Sequence, residues 1–155
     1  MNANVVFINA FIKSVIHVLK TMAFTDAKVG KPYLKTDNIA SGDVSGIIGM
    51  TGEREGSMSI SFTETSICAV VSNMFGEQFD KINDEIEDAV GELTNMICGD
   101  ARRELEEKGF VIKGAIPSVI TGHNHSIKHI SHDPSVAVPF TIPAGNFVLE
   151  ISLSM

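Results

Sequence analysis

The sequence predicts an α+β fold, an antiparallel β-sheet with long α-helices packed on it. Three observations predict it. Two long segments place their apolar residues at helical spacing, and two others read as β-hairpins around turn-rich centres. The order helix then hairpin also occurs twice, once in each half, with negligible identity between the halves. A chain of 155 residues suits one domain, taken as 1–155. A domain of this size buries roughly 68–70% of the surface its unfolded chain exposes, enough for a core without disulfide or metal staples.

The first helix lies in "NVVFINAFIKSVIHVLKTMAF". Ile8, Phe11, Ile12, Val15, Ile16 and Leu19 form one stripe, and Asn9, Lys13, His17 and Lys20 fall opposite. Those polar residues interrupt the apolar run too often for a membrane span or an export signal. Residues 25–42 carry Gly30, Pro32 and Gly42 and are expected as loop with one short edge strand. "SGIIGMTGEREGSMSISF" reads as the first hairpin. Residues 64–77 form a short helix ended by Gly76. A long helix follows from about Asn83 to Lys108, with Asp84 and Glu87 as a capping box and Gly109 closing it. "FVIKGAIPSVITG" is extended around Pro117, "SIKHIS" reads as a strand, and "SVAVPFTI" and "NFVLEISLS" flank "PAG" as the second hairpin.

Charge and cysteine content narrow the function. A formal net charge of -7 argues against nucleic acid, whose binding runs on clustered Lys and Arg, and against an anionic membrane surface. Cys68 and Cys98 form no C-x-x-C pair and read as small buried hydrophobes in a reducing compartment, so the cytoplasm is expected.

Chemistry concentrates in "DAVGELTNMICG" of the long helix. On a wheel, Ile82, Ile86, Ala89, Val90, Leu93, Met96 and Ile97 form the core stripe. Asp88, Glu92, Asn95 and Gly99 fall in a narrow arc opposite, with Glu85 and Arg102 at its margins. Glu92 and Asn95 are neighbours on the helix surface. A carboxylate pairs with a cation, and a neutral amide positions a water without repelling an anion. Phosphoryl transfer needs that positioning, and side-chain amides orient attacking water there. Gly91 and Gly99 flank the pair at a cost of up to about 1 kcal/mol each relative to Ala. Either an approaching partner or tight packing accounts for them.

"HNHSIKHISH" gathers His123, His125, His129 and His132, followed by Asp133. Polar alternation on a solvent-facing strand is simpler than a metal site, since no cysteine or interleaved carboxylate accompanies the run. No metal is assigned to the chain. No Ser/His/Asp constellation and no nucleotide-binding glycine motif is present.

Asp88-x3-Glu92-x2-Asn95, followed by Pro117 after 21 intervening residues, resembles the signature of the CheC/CheX/FliY phosphatases of bacterial chemotaxis. "DEIEDAVGELTNMICGDARRELEEKG" is similar to the CheX active-site helix, "IPSVITG" to the segment after it, and "GIIGMTGEREGSMSISF" to the first hairpin. The resemblance covers most of the chain and is closer to CheX than to CheC. It implies a hydrolase that dephosphorylates the aspartyl phosphate of a CheY-like receiver-domain response regulator. Asn95 would orient the attacking water, Glu92 would pair with the receiver's lysine, and Asp88 would support them. Pro117 would be structural. Mg²⁺ would be held by the receiver, and this chain would need no cofactor. CheC-type proteins resemble a duplicated unit with two such helices. Here "FINAFIKSVIHVLKTM" has no Glu-x-x-Asn, so one site per chain and a CheX-like homodimer are implied. The alternative is a non-catalytic module of the same fold that binds a response regulator or flagellar component.

Overall fold

In a computed structural model, the described residues are 3–37, 39–40, 42–52, 55–114, 116–123, 125 and 135–153. Spacing of apolar residues sets the first helix, α1 (Ala3–Ala23). Its residues Phe7, Phe11, Val15 and Leu19 are fully buried, while Ile8, Ile12 and Ile16 are packed at the margin of the core. The segment Asn4–Ala23 has the length and apolarity of a membrane-spanning helix, with a mean hydropathy of 1.5. The fold uses much of that apolarity internally, as the apolar face of α1 rests on the core.

A broken edge strand follows, β1 (Lys28–Val29) and β2 (Tyr33–Lys35). The sequence predicts one strand here, and Pro32 between the two pieces explains the division. Next come the hairpin β3 (Val44–Gly52) and β4 (Gly56–Phe62), the helices α2 (Glu64–Phe75) and α3 (Asp84–Glu107), and a second broken edge strand, β5 (Ile112–Gly114) and β6 (Ser118–Thr121). The hairpin β7 (Ser135–Ile142) and β8 (Gly145–Leu153) ends the fold. The expected strand in "SIKHIS" lies outside the described residues.

Each half therefore contributes a helix, a broken edge strand and a hairpin. The sheet interleaves them antiparallel in the order β1-β7-β8-β4-β3-β5, with β2 also on β7 and β6 also on β3. The edge strand of each half thus pairs with the hairpin of the other half, and β4 and β8 meet at the centre from Gly56↔Leu153 to Phe62↔Phe147. Both α2 and α3 pack on one face of the sheet, and α1 packs against both helices.

The ends of α3 differ in part from expectation. Asn83, not Asp84, is the N-cap, and its side chain accepts from the Ile86 N–H at 2.9 Å. Asn83 takes the extended conformation that this position requires, which puts Asp84 inside the first turn. Gly109 closes the helix as expected, at φ 91°, with Phe110 N–H reaching back to the Leu105 carbonyl.

The depth of α3 on the sheet is set at Gly46 of β3. A Cβ built there would lie 1.9 Å from Thr94 Oγ1 and 3.2 Å from Val90 Cγ1. Thr94 is itself fully buried and donates to the Val90 carbonyl at 2.7 Å. From α1, the buried Ser14 hydroxyl donates to the Ile97 carbonyl at 2.6 Å. The opposite face of the sheet is polar yet covered. Ser45, Ser59, Ser61 and Glu150 are at most 2% exposed there. The β2–β3 and β6–β7 connections meet over it where Ala40 N–H donates to the His125 carbonyl at 2.8 Å. The Lys35 ammonium closes this layer, contacting Glu150 at 3.1 Å and the Ile39 carbonyl.

Asp43 joins the layers at one end. One carboxylate oxygen accepts the Glu64 N–H at the start of α2 at 2.8 Å, and the other lies 3.0 Å from His123 Nδ1. The hydrogen bond to His123, then the Glu64 N–H, hold the Asp43 carboxyl below its ordinary range. A depressed carboxylate contributes stability above its unfolded pKa of about 3.9 and loses it as pH falls through the folded value.

Three outcomes are expected. Gly46→Ala lowers stability by about 1–3 kcal/mol in denaturant titration, and adding Thr94→Ala restores part of the loss; an unchanged midpoint for Gly46→Ala would refute the close approach. Leu93→Ala, at a fully buried position, costs roughly 2–5 kcal/mol by the same assay. On acidification below about pH 4, the melting temperature of the natural chain falls more steeply than that of Asp43→Asn; parallel curves would show that the Asp43 contacts carry no linkage.

Candidate active site on the exposed ridge of helix α3

The buried line of α3, from Ile86 through Val90, Leu93 and Ile97 to Ala101, fixes the helix rotation against the core. Asp88, Glu92 and Asn95 consequently stand exposed in one row, with Gly91 and Gly99 half-exposed beside them. Met96 and Ile82, read from the wheel as core, are only partly buried at its edge. The expected row is thus brought together by the structure on a single rigid element.

The two glycines now separate from the packing explanation. A Cβ at Gly99 would meet nothing within 4 Å, and one at Gly91 would meet only Val119 Cγ2 at an ordinary 3.5 Å. Neither glycine is needed for contact inside this chain. Their effect is to keep the ridge low on both sides of the Glu92/Asn95 turn.

Three contacts align the neighbouring edge strand with α3. Gly91 faces Val119, Gly114 lies 3.3 Å (as a built Cβ) from Cys98 Sγ, and Arg102 Nε donates to the Ile112 carbonyl at 2.8 Å. Residues 91, 98 and 102 lie on one line of the helix, and Asn95 is the remaining member of that line. The strand is interrupted opposite Asn95. β6 pairs with β3 up to Ser118↔Ile47 and β5 pairs at Gly114↔Met50, so among the described residues Ile48 and Gly49 pair with β4 alone. Pro117 has no N–H and sits in this gap. The spacing between Asn95 and Pro117 thereby acquires a physical reason: the proline breaks the strand that would otherwise run past the amide. Arg102, marginal on the wheel, proves to be the tie between α3 and β5, a role that helical spacing alone does not reveal.

Glu92 and Asn95 stand on the exposed face of α3, outside four clefts of about 320–440 Å³ elsewhere on the surface. One concavity, about 440 Å³, lies at the N-terminal end of α3 between Asp43, Glu64, Asp84, Glu87 and His123. The ridge is therefore convex. It presents a carboxylate and an amide to solvent. Cys98, beneath the ridge, is buried, and burial pushes its thiol up, so it supplies no nucleophile.

The histidine run divides. His123 meets Asp43, whereas His125 donates from Nδ1 to the Gly122 carbonyl at 2.6 Å and places Nε2 2.7 Å from the Ser45 hydroxyl. They do not share a solvent-facing row, because His125 turns inward to fasten the crossing segment to β3. His129, His132 and Asp133 lie outside the described residues, and among the described residues no three His, Cys, Asp or Glu side chains converge on a metal position.

Comparison with known proteins adds an independent line. The family model described as chemotaxis phosphatase CheX matches residues 44–141. The CheY-P phosphatase CheX of Thermotoga maritima is 32% identical over 129 residues, spanning 83% of this chain and 82% of that protein. A CheC-like superfamily protein from Shewanella sp. PV-4 superposes with a TM-score of 0.91 at 46% identity, covering 100% of both chains. The CheX of a CheX–CheY–BeF3–Mg²⁺ complex from Borrelia burgdorferi superposes with a TM-score of 0.82 at 29% identity, covering 96% of this chain and 98% of that one. With its fold, its helix ridge and these matches in agreement, the chain belongs to the CheX family of chemotaxis phosphatases.

Proposed function

We propose that this chain hydrolyses the aspartyl phosphate of a CheY-like receiver domain. The observation that carries the reading is the convex placement of Glu92 and Asn95, exposed one turn apart on a rigid helix with bare flanks. A convex pair suits a substrate whose own site supplies the cavity, the phosphoryl group and the Mg²⁺. The relatives agree in kind: one is named a CheY-P phosphatase, and another was solved bound to CheY with BeF3 and Mg²⁺.

In this reading Asn95 enters the receiver site and holds a water in line with phosphorus. The water oxygen bonds to phosphorus, the bond from phosphorus to the aspartyl oxygen breaks, and inorganic phosphate leaves a regenerated carboxylate. The amide accepts no proton, so its part is orientation, which dominates phosphoryl transfer. Glu92 pairs with the receiver's lysine and fixes the register of the two proteins. Asp88, one turn away, extends the negative row and favours the approach of a lysine-bearing surface. The reaction takes place in the cytoplasm, where receivers reside. A homodimer with one such ridge per chain completes the assembly.

The test is decay of a panel of phosphorylated receivers, each alone, with the natural chain, and with Asn95→Ala. The natural chain accelerates one of them, and Asn95→Ala loses on the order of 10²–10³ in rate with its melting temperature unchanged. Glu92→Ala loses both rate and affinity. Binding of a receiver without any acceleration would replace the phosphatase reading with that of a non-catalytic docking module.

A further inference from the structure

Ile116 is 89% exposed, the most exposed large apolar side chain among the described residues. A single exposed isoleucine needs no explanation in general. Its position does. The three contacts between α3 and the edge strand bracket it, with Val119 beside Gly91 on one side and Gly114 beside Cys98 on the other. Ile116 therefore stands in the strand interruption alongside the turn that carries Asn95. Next to it on the α3 side, Pro117 and Val119 are partly buried and uncharged, and Ser118 between them is exposed. The ridge thus has an acidic side, Asp88 and Glu92, and an apolar side headed by Ile116.

We propose that Ile116 is the apolar anchor of the docking surface, seating against an uncharged patch on the phosphorylated receiver next to its phosphoryl site. The proposal rests on the reading of the ridge as the receiver-binding face. Two features commit the surface to that occupant. It is continuous with the Glu92/Asn95 turn, so any receiver that admits Asn95 must also cover Ile116. It also pairs an apolar contact with a lysine-seeking carboxylate, which gives the interface an anchor beside its charged contact. Covering Ile116 excludes bulk water from the side of Asn95 that the broken strand leaves open.

The experiment measures equilibrium binding of a receiver loaded with beryllofluoride and Mg²⁺ to the natural chain, Ile116→Asp, Ile116→Leu and Asn95→Ala, with thermal melts and sedimentation of each. Ile116→Asp binds about tenfold or more weakly, as loss of one buried aliphatic contact requires, while Ile116→Leu binds like the natural chain and both melt normally. Equal binding by Ile116→Asp would overturn the proposal. So would a change in oligomeric state with receiver affinity intact, since Ile116 would then face a second copy of this chain. Failure of the natural chain to bind any receiver would overturn it as well. Failure of the phosphatase reading is read separately, from phosphate release, and leaves the binding comparison in force.

Discussion

Everything at the candidate site depends on how closely α3 can approach β3. Gly46 removes the one Cβ that would hold the helix off, and Thr94 fills the space with its hydroxyl. Only at that depth do Gly91, Cys98 and Arg102 meet the edge strand, and only that meeting puts the interruption at Pro117 beside Asn95. A helix carried an ångström higher would keep the same sequence of exposed residues. It would lose their relation to the strand, and positioning chemistry is sensitive to displacements of that size.

The second constraint is the rigidity of the support. Ser14 of α1 holds the middle of α3 through the Ile97 carbonyl, one and a half turns above Glu92. On the outer face of the sheet, His125 reaches the Ser45 hydroxyl and Lys35 pairs with Glu150. Such a pair contributes little net stability compared with apolar residues of similar size, but it permits few alternative arrangements. The ridge therefore rides on a helix held by both α1 and the sheet, while its own residues Asp88, Glu92 and Asn95 stand exposed.

Much of this was legible in the sequence. Helical spacing placed Asp88, Glu92 and Asn95 on one exposed row because the core stripe from Ile86 to Ala101 is unbroken. Gly76 and Gly109 marked helix ends because both positions need positive φ. What stayed hidden depends on contacts between distant segments. The alternation of "GSMSISF" implies one wet face, yet Ser57, Ser59 and Ser61 are buried, with His125 held at Ser45 and Lys35 at Glu150 on the same face. The N-cap fell to Asn83 rather than Asp84, as local patterns tolerate a shift of one residue where two capping residues are adjacent. Ile116 carried no signal, because exposure of an isoleucine next to a proline is decided by a strand pairing that ends far away in the chain, at Ile47 and Met50.

The exchange of edge strands between halves has a bearing on synthesis. As the chain leaves the ribosome, β3 and β4 can form their hairpin at once, but the neighbours that flank them, β5, β6 and β8, come from the half not yet made. For that interval both margins of the hairpin are open templates for any other nascent strand. Closure of the sheet waits for the last nine residues described, Gly145–Leu153, which supply the central partner of β4. A protein arranged in this way has no early native half to fall back on, so premature termination yields a sticky fragment rather than a smaller folded domain.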